Sequence, residues 1–172
     1  MNDEIMRCKI KEKIAEGQET LYNLRLAKVK LDSAGSWKKL DGFGGSILTS
    51  MMKHSKTEAA LGCLEQARES LVSYQRVLKV LPIPFHIRTE IAVLFSFAIF
   101  FLDGEIKEYL EPEKVESAQE QLTDGIDILV NVLLALEKYE CELQGNERME
   151  VAENTAVITS LTGIRKSPCA TI

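Results

Sequence analysis

The residue types able to do chemistry near neutral pH gather in one stretch, Trp37, Asp41, Gly44, Gly45, Lys53 and His54, with Asp103 opening a later Asp-Gly turn. Gly42-Phe43-Gly44-Gly45-Ser46 runs into a helix start, where unencumbered backbone N–H groups could receive an anion, and Lys53 follows about two turns on. His54 could serve as a base or ligand with Asp41 or Asp103, if the later turn folds against the Gly-rich corner. The spacing matches neither a P-loop nor a dinucleotide fingerprint, and no Ser/His/Asp nucleophile elbow is present. The plainer reading has the glycines allowing a tight corner between two long helices, with Trp37 and Phe43 packed beneath it. In that reading His54 is structural, and Asp41 and Asp103 cap helices or turn the chain. His86, between Phe85 and Ile87, reads as a loop or packing residue. One histidine and two carboxylates from separate segments are too sparse a donor set to assign a metal. No catalytic residue and no cofactor is assigned.

The other reactive groups are the cysteines. Cys8, Cys63, Cys141 and Cys169 lie far apart, with no CxxC and no Cys/His cluster, which points to a reducing compartment rather than a disulfide framework or structural zinc. Cys169-Ala170-Thr171-Ile172, with Arg165 and Lys166 upstream, satisfies a loose C-a-a-X pattern, although Thr171 is not aliphatic. In a eukaryotic cell Cys169 could be prenylated, and membrane association is expected only in that case. A single lipid chain gives marginal binding, so anchoring would need a second signal. The first residues carry charges where a signal peptide needs an apolar run, so a cytoplasmic location is expected.

These groups sit on a chain of 172 residues, enough for one domain with a core. Lys and Arg number 21 against 26 Asp and Glu, a net charge of -5, which argues against a nucleic-acid binder that relies on broad phosphate neutralisation. Charge is polarised: residues 103–150 hold 14 acidic and 4 basic residues, while 36–56 hold four lysines and one aspartate. The most apolar stretch, Ile91 to Leu102, has no charge over 12 residues, short of the roughly 20 that a spanning helix needs. It reads as core.

Hydrophobic spacing supplies the elements. Ile10, Ile14, Leu21, Leu24 and Leu31 recur at intervals near three and four, which predicts a long helix from about Asn2 to Ser33, with Gly17 marking a close crossing. Ser33-Ala34-Gly35-Ser36 is expected to end it. A second helix should begin near Ser46 or Ile47 and run to about Leu81, on the seam of Leu61, Leu64, Leu71, Tyr74, Leu78 and Leu81, until Pro82 and Pro84 stop it. Phe85 to Leu102 alternates in part like a strand, but a lone strand would have no partner, so a buried helix is predicted that plugs the bundle, with four of the six phenylalanines between Phe95 and Phe101. Pro112 suits a first helical position, and Val115, Leu122, Ile126, Leu129, Leu133 and Leu136 mark a last helix to about Leu143. Residues 1–144 are thus expected to form the helical domain, and 145–172 a flexible C-terminal tail.

Two stretches resemble an uncharacterised family of helical proteins known mainly from bacteria: Ser33-Ala34, Trp37, Asp41, Gly44-Gly45 and Lys53-His54-Ser55, then Ser96-Phe97-Ala98, Phe100-Phe101 and Asp103-Gly104. With the helices around them the resemblance spans roughly Leu21 to Glu140. It implies a helical fold and a shared region of interest, and no reaction. The chain departs from the pattern at Leu40, Ser46 and Ile99, where a second aromatic, a third glycine and an additional aspartate are usual. The missing aspartate weighs against a carboxylate pair or metal site.

The sequence therefore predicts an all-α protein, three long, roughly antiparallel helices with a short Phe-rich helix among them. The expected role is that of an interaction or scaffold protein without catalysis, whose heptad-like faces serve a protein partner or a second copy. The alternatives are a small-ligand binder or enzyme using the corner near Asp41 and His54, and a peripheral membrane protein lipidated at Cys169.

Overall fold

The chain is described by a computed structural model over residues 3–39, 47–103, 105–111 and 113–162. The elements run in the order α1 (Asp3–Lys39), α2 (Ile47–Lys79), α3 (Phe85–Asp103), a 3-10 segment (Ile106–Leu110) and α4 (Val115–Thr162). Among the described residues there is no strand.

The three- and four-residue spacing fixes the inward face of each long helix. Ile10, Leu24 and Leu31 of α1 are fully buried, as are Leu64 and Leu71 of α2 and Leu122, Leu129 and Leu136 of α4, and all belong to one core. Period 3.6 brings such residues to one stripe, and water is excluded only where two stripes meet. α1 is the hub, packed along both α2 and α4, while α3 lies mainly on α4 and less on α2. The crossings are close where glycine stands. A Cβ on Gly17 would come within 2.6 Å of both Leu133 Cδ2 and the Tyr74 ring, so the expected close approach at this position is observed.

Several boundaries differ from the sequence expectation. α1 does not end at Ser33-Ala34-Gly35-Ser36 but continues to Lys39. Ala34 is buried, a Cβ on Gly35 would stand 2.8 Å from Val115 Cγ1, and the Ser36 hydroxyl donates to the Asp32 carbonyl at 2.8 Å. Gly35 thus serves contact with the start of α4 rather than a helix stop. α2 ends at Lys79 as Pro82 approaches, with the Leu81 N–H donating to the Leu78 carbonyl at 3.2 Å. α4 begins at Val115, after a turn in which the Glu111 carbonyl accepts from the N–H groups of both Lys114 and Val115, each at 3.0 Å. It then runs past Leu143 and Gly145 to Thr162, so the expected tail is helical as far as that residue. Met149 and Val151 of its extension are exposed to solvent. Helix formers such as Glu, Arg, Met and Ala continue it by propensity.

The Phe-rich stretch is helical, as predicted, but it is not buried all round. Ile87, Ile91, Leu94, Ala98 and Phe101 face the core, whereas Phe85 is 84% exposed, Ile99 68% and Val93 47%. Phe97 packs against Gly125 of α4, where a Cβ would collide with its ring. Beyond α3 the chain folds back through the 3-10 segment. Tyr109 stacks on Phe101 with ring centroids 5.5 Å apart and donates its hydroxyl to the Phe101 carbonyl at 3.0 Å.

Candidate functional site

The residues singled out in the sequence fall partly within and partly outside the described residues. Trp37 belongs to the last turn of α1, because the helix runs on to Lys39. Asp41, Gly44, Gly45 and Cys169 lie outside the described residues. Lys53 and His54 stand in the second turn of α2, and Asp103 is the last residue of α3. His54 is an exposed side chain, 74% accessible, and its Nδ1 approaches Glu58 Oε1 of its own helix at 3.3 Å. An exposed i,i+4 pair of this kind is an ordinary helix-surface contact. His86 is exposed at the second residue of α3. Cys8, Cys63 and Cys141 are free thiols. Among the described residues no group of His, Cys, Asp or Glu could hold a metal ion, and no helix is long and apolar enough to cross a membrane.

Two other places gather functional groups. The first is a polar groove of about 390 Å³ between α1 and α2. Thr20 and Asn23 are its buried polar residues. The Thr20 hydroxyl donates to the Glu16 carbonyl at 3.0 Å, the Ser70 hydroxyl donates to Thr20 Oγ1 at 3.1 Å, and Asn23 Nδ2 donates to Ser70 Oγ at 3.2 Å. Burial of such groups is tolerated because each meets a partner. Tyr74 departs from that rule: its hydroxyl is buried with no hydrogen-bond partner. Burial, with the Glu16 charge adding to it, raises the Tyr74 pKa well above the ordinary tyrosine value, so the group stays protonated. Glu16 itself is held by Lys13 at 2.7 Å. That ladder explains how two long helices keep register.

The second is a hollow of about 330 Å³ where the end of α2 meets α3, with Leu78, Leu81, Ile83 and Ile91 as its floor and Lys79, Arg88, Ala92 and Phe95 around its mouth. It opens onto the outer side of α3. Arg88, Ala92 and Phe95 are spaced four and three apart, and Phe85 and Ile99 continue the series in both directions, so the five form one stripe. This is a second heptad-like seam on a helix whose first seam is already used by the core. Two exposed hydroxyls nearby bond to their own helix, Thr89 donating to the Phe85 carbonyl at 3.3 Å and Ser96 to the Ala92 carbonyl at 3.0 Å.

The uncharged run from Ile91 to Leu102 is legible in the sequence as core, whereas Val93 and Ile99 within it are exposed. The available signal was the doubled spacing itself, 85-88-92-95-99 beside 87-91-94-98-101. The polar ladder carried no signal of its own, because Thr20, Asn23 and Ser70 are ordinary residues until α1 and α2 are laid together. Comparison with protein-family models, curated proteins and solved structures returns no match to this chain. Residue geometry alone therefore bears on function.

Proposed function

We propose that the protein is a helical interaction module, an elongated and roughly antiparallel bundle that presents one face of α3 to a partner helix or a second copy. The antiparallel arrangement is supported by pairs whose positions run in opposite directions: Arg7 and Lys11 with Glu140, Gly17 with Leu133, and Gly35 with Val115. Lys56 with Ser33, and Thr20 and Asn23 with Ser70, give the same sense between α1 and α2.

The observation that carries the interaction reading is the open seam of Phe85, Ala92, Phe95 and Ile99. Scattered single apolar residues on a surface need no explanation, but a periodic stripe beside an uncharged run does. A helix laid along that stripe would bury it at three- and four-residue anchor spacing, the usual means by which an amphipathic helix docks. No convergent catalytic set competes with this reading among the described residues.

A photo-crosslinking side chain introduced at Ile99 should capture one defined protein, or a second copy of this chain, in the cells that make it. The same group at Glu58, on the exposed surface of α2, should capture neither. Equal capture at both positions, together with a monomeric mass at every concentration tested, would remove the proposal.

A further inference from the structure

The hollow between α2 and α3 has a chemical character more specific than an apolar seam. Its floor is made of the core residues Leu78, Leu81, Ile83 and Ile91, each nearly buried, with Phe95 along one wall. Its rim holds two cations and no carboxylate. Lys79 Nζ lies 5.5 Å from the centroid of the Phe95 ring, a cation–π contact that holds the ammonium at the mouth. Arg88 uses its Nε–H on the Ile83 carbonyl at 3.1 Å, which fixes the guanidinium plane. Neither cation has a carboxylate partner among the described residues. In a chain with net charge -5, two unneutralised cations bracketing an apolar depression form a local field of the opposite sign.

We propose that this hollow binds an amphipathic carboxylate, an unbranched aliphatic acid whose chain lies over Leu78, Ile91 and Phe95 and whose head group pairs with Lys79 and Arg88. A volume of about 330 Å³ falls at the small end of the roughly 300–1,000 Å³ range of ligand pockets, which suits a medium-length chain. A guanidinium whose terminal nitrogens meet no partner among the described residues can take a carboxylate in a two-pronged geometry, and the ammonium adds a second charge-assisted bond. An alkyl amine of the same length would meet two like charges, and an alcohol would make only neutral hydrogen bonds. The inference goes beyond helix docking, since the hollow can be filled whether or not a helix covers the seam.

The test is titration of the full chain with hexanoate, octanoate and decanoate, each below its micelle concentration, followed by calorimetry and amide NMR. Affinity should rise about fourfold for each added methylene and then level off once the hollow is full, with shifts centred on the end of α2 and on α3. Lys79→Gln with Arg88→Gln should weaken octanoate at least tenfold in a chain of unchanged helicity, and octylamine should not bind. Ala92→Phe, which fills the hollow from its wall, should abolish octanoate binding in a chain of unchanged helicity. Absence of saturable binding overturns the proposal, as does equal binding of octylamine. So does a chain-length gain that never levels, which would mark partition onto apolar surface, or a double variant that binds octanoate like the parent.

Discussion

Along α3 the residues Ile87, Ile91, Leu94, Ala98 and Phe101 recur at intervals of four and three and are buried, while Phe85, Arg88, Ala92, Phe95 and Ile99 recur at three and four and lie open or half-open. Both series satisfy the helix period equally well. What separates them is the partner: the first meets α4 and α2, and of the second only Phe95 packs in part against the core, while Phe85 and Ile99 stand exposed. Periodicity thus identifies the faces of a helix, and the covering of each face depends on what the rest of the chain can bring to it.

The sharpest way to break this comparison is to shorten one residue on each face. Leu94→Ala removes a fully buried side chain and should cost about 2–5 kcal/mol of unfolding free energy. Ile99→Ala should stay within about 0.5 kcal/mol. Chemical denaturation of the two variants decides the matter, and similar losses would mean that the outer face is covered in the isolated protein.

A smaller contrast lies between two helical glycines. Gly17→Ala drives a methyl into Tyr74 and Leu133, an overpacking that costs about 1–3 kcal/mol and outweighs the gain in helix propensity. Gly145 has nothing within 4 Å of a built Cβ, so Gly145→Ala should stabilise by up to about 1 kcal/mol where α4 extends beyond the core. Thermal melts of the pair should move in opposite directions.

The smallest effect probes how dry the covered side is. Because burial raises the Tyr74 pKa, the native state holds the phenolic proton where the unfolded chain releases it. That preference is fully present below the ordinary tyrosine value and is lost as pH rises through the native one, at no more than about 1.4 kcal/mol per pH unit for a single group. Tyr74→Phe should flatten the fall in melting temperature between about pH 10 and 11. Some slope should remain, since burial also raises Tyr109. At neutral pH the variant should match or exceed the parent in stability, because the lost hydroxyl had no partner.

Much of the fold was legible because leucine and isoleucine spacing is a local signal. It located all four helices, the approach at Gly17, and the interruption after α2 that Pro82 and Pro84 impose. The misreadings share a cause. Gly35 looks like a helix stop until Val115 is placed against it, and Phe95 looks like core until α2 is found to cover only one side of it. The extension of α4 past Gly145 lacks an apolar stripe, so it gave periodicity nothing to detect. The predicted corner at Asp41, Gly44 and Gly45 lies outside the described residues, and His54 pairs with Glu58 on its own helix. The hollow at Lys79 and Arg88 depends on residues from α2, the Pro82–Pro84 connection and α3, and no single segment discloses it.

Two contacts described above act together on α3. The Phe97 ring occupies the space that a side chain at position 125 would fill, and the Tyr109 hydroxyl holds the Phe101 carbonyl at the far end of the same helix. Sliding α3 by one turn, about 5.4 Å, would break both at once, so the helix behaves as a bolt that is seated at its middle and pinned at its tip. A partner pressing on its outer side therefore meets a helix whose lengthwise movement would cost both contacts.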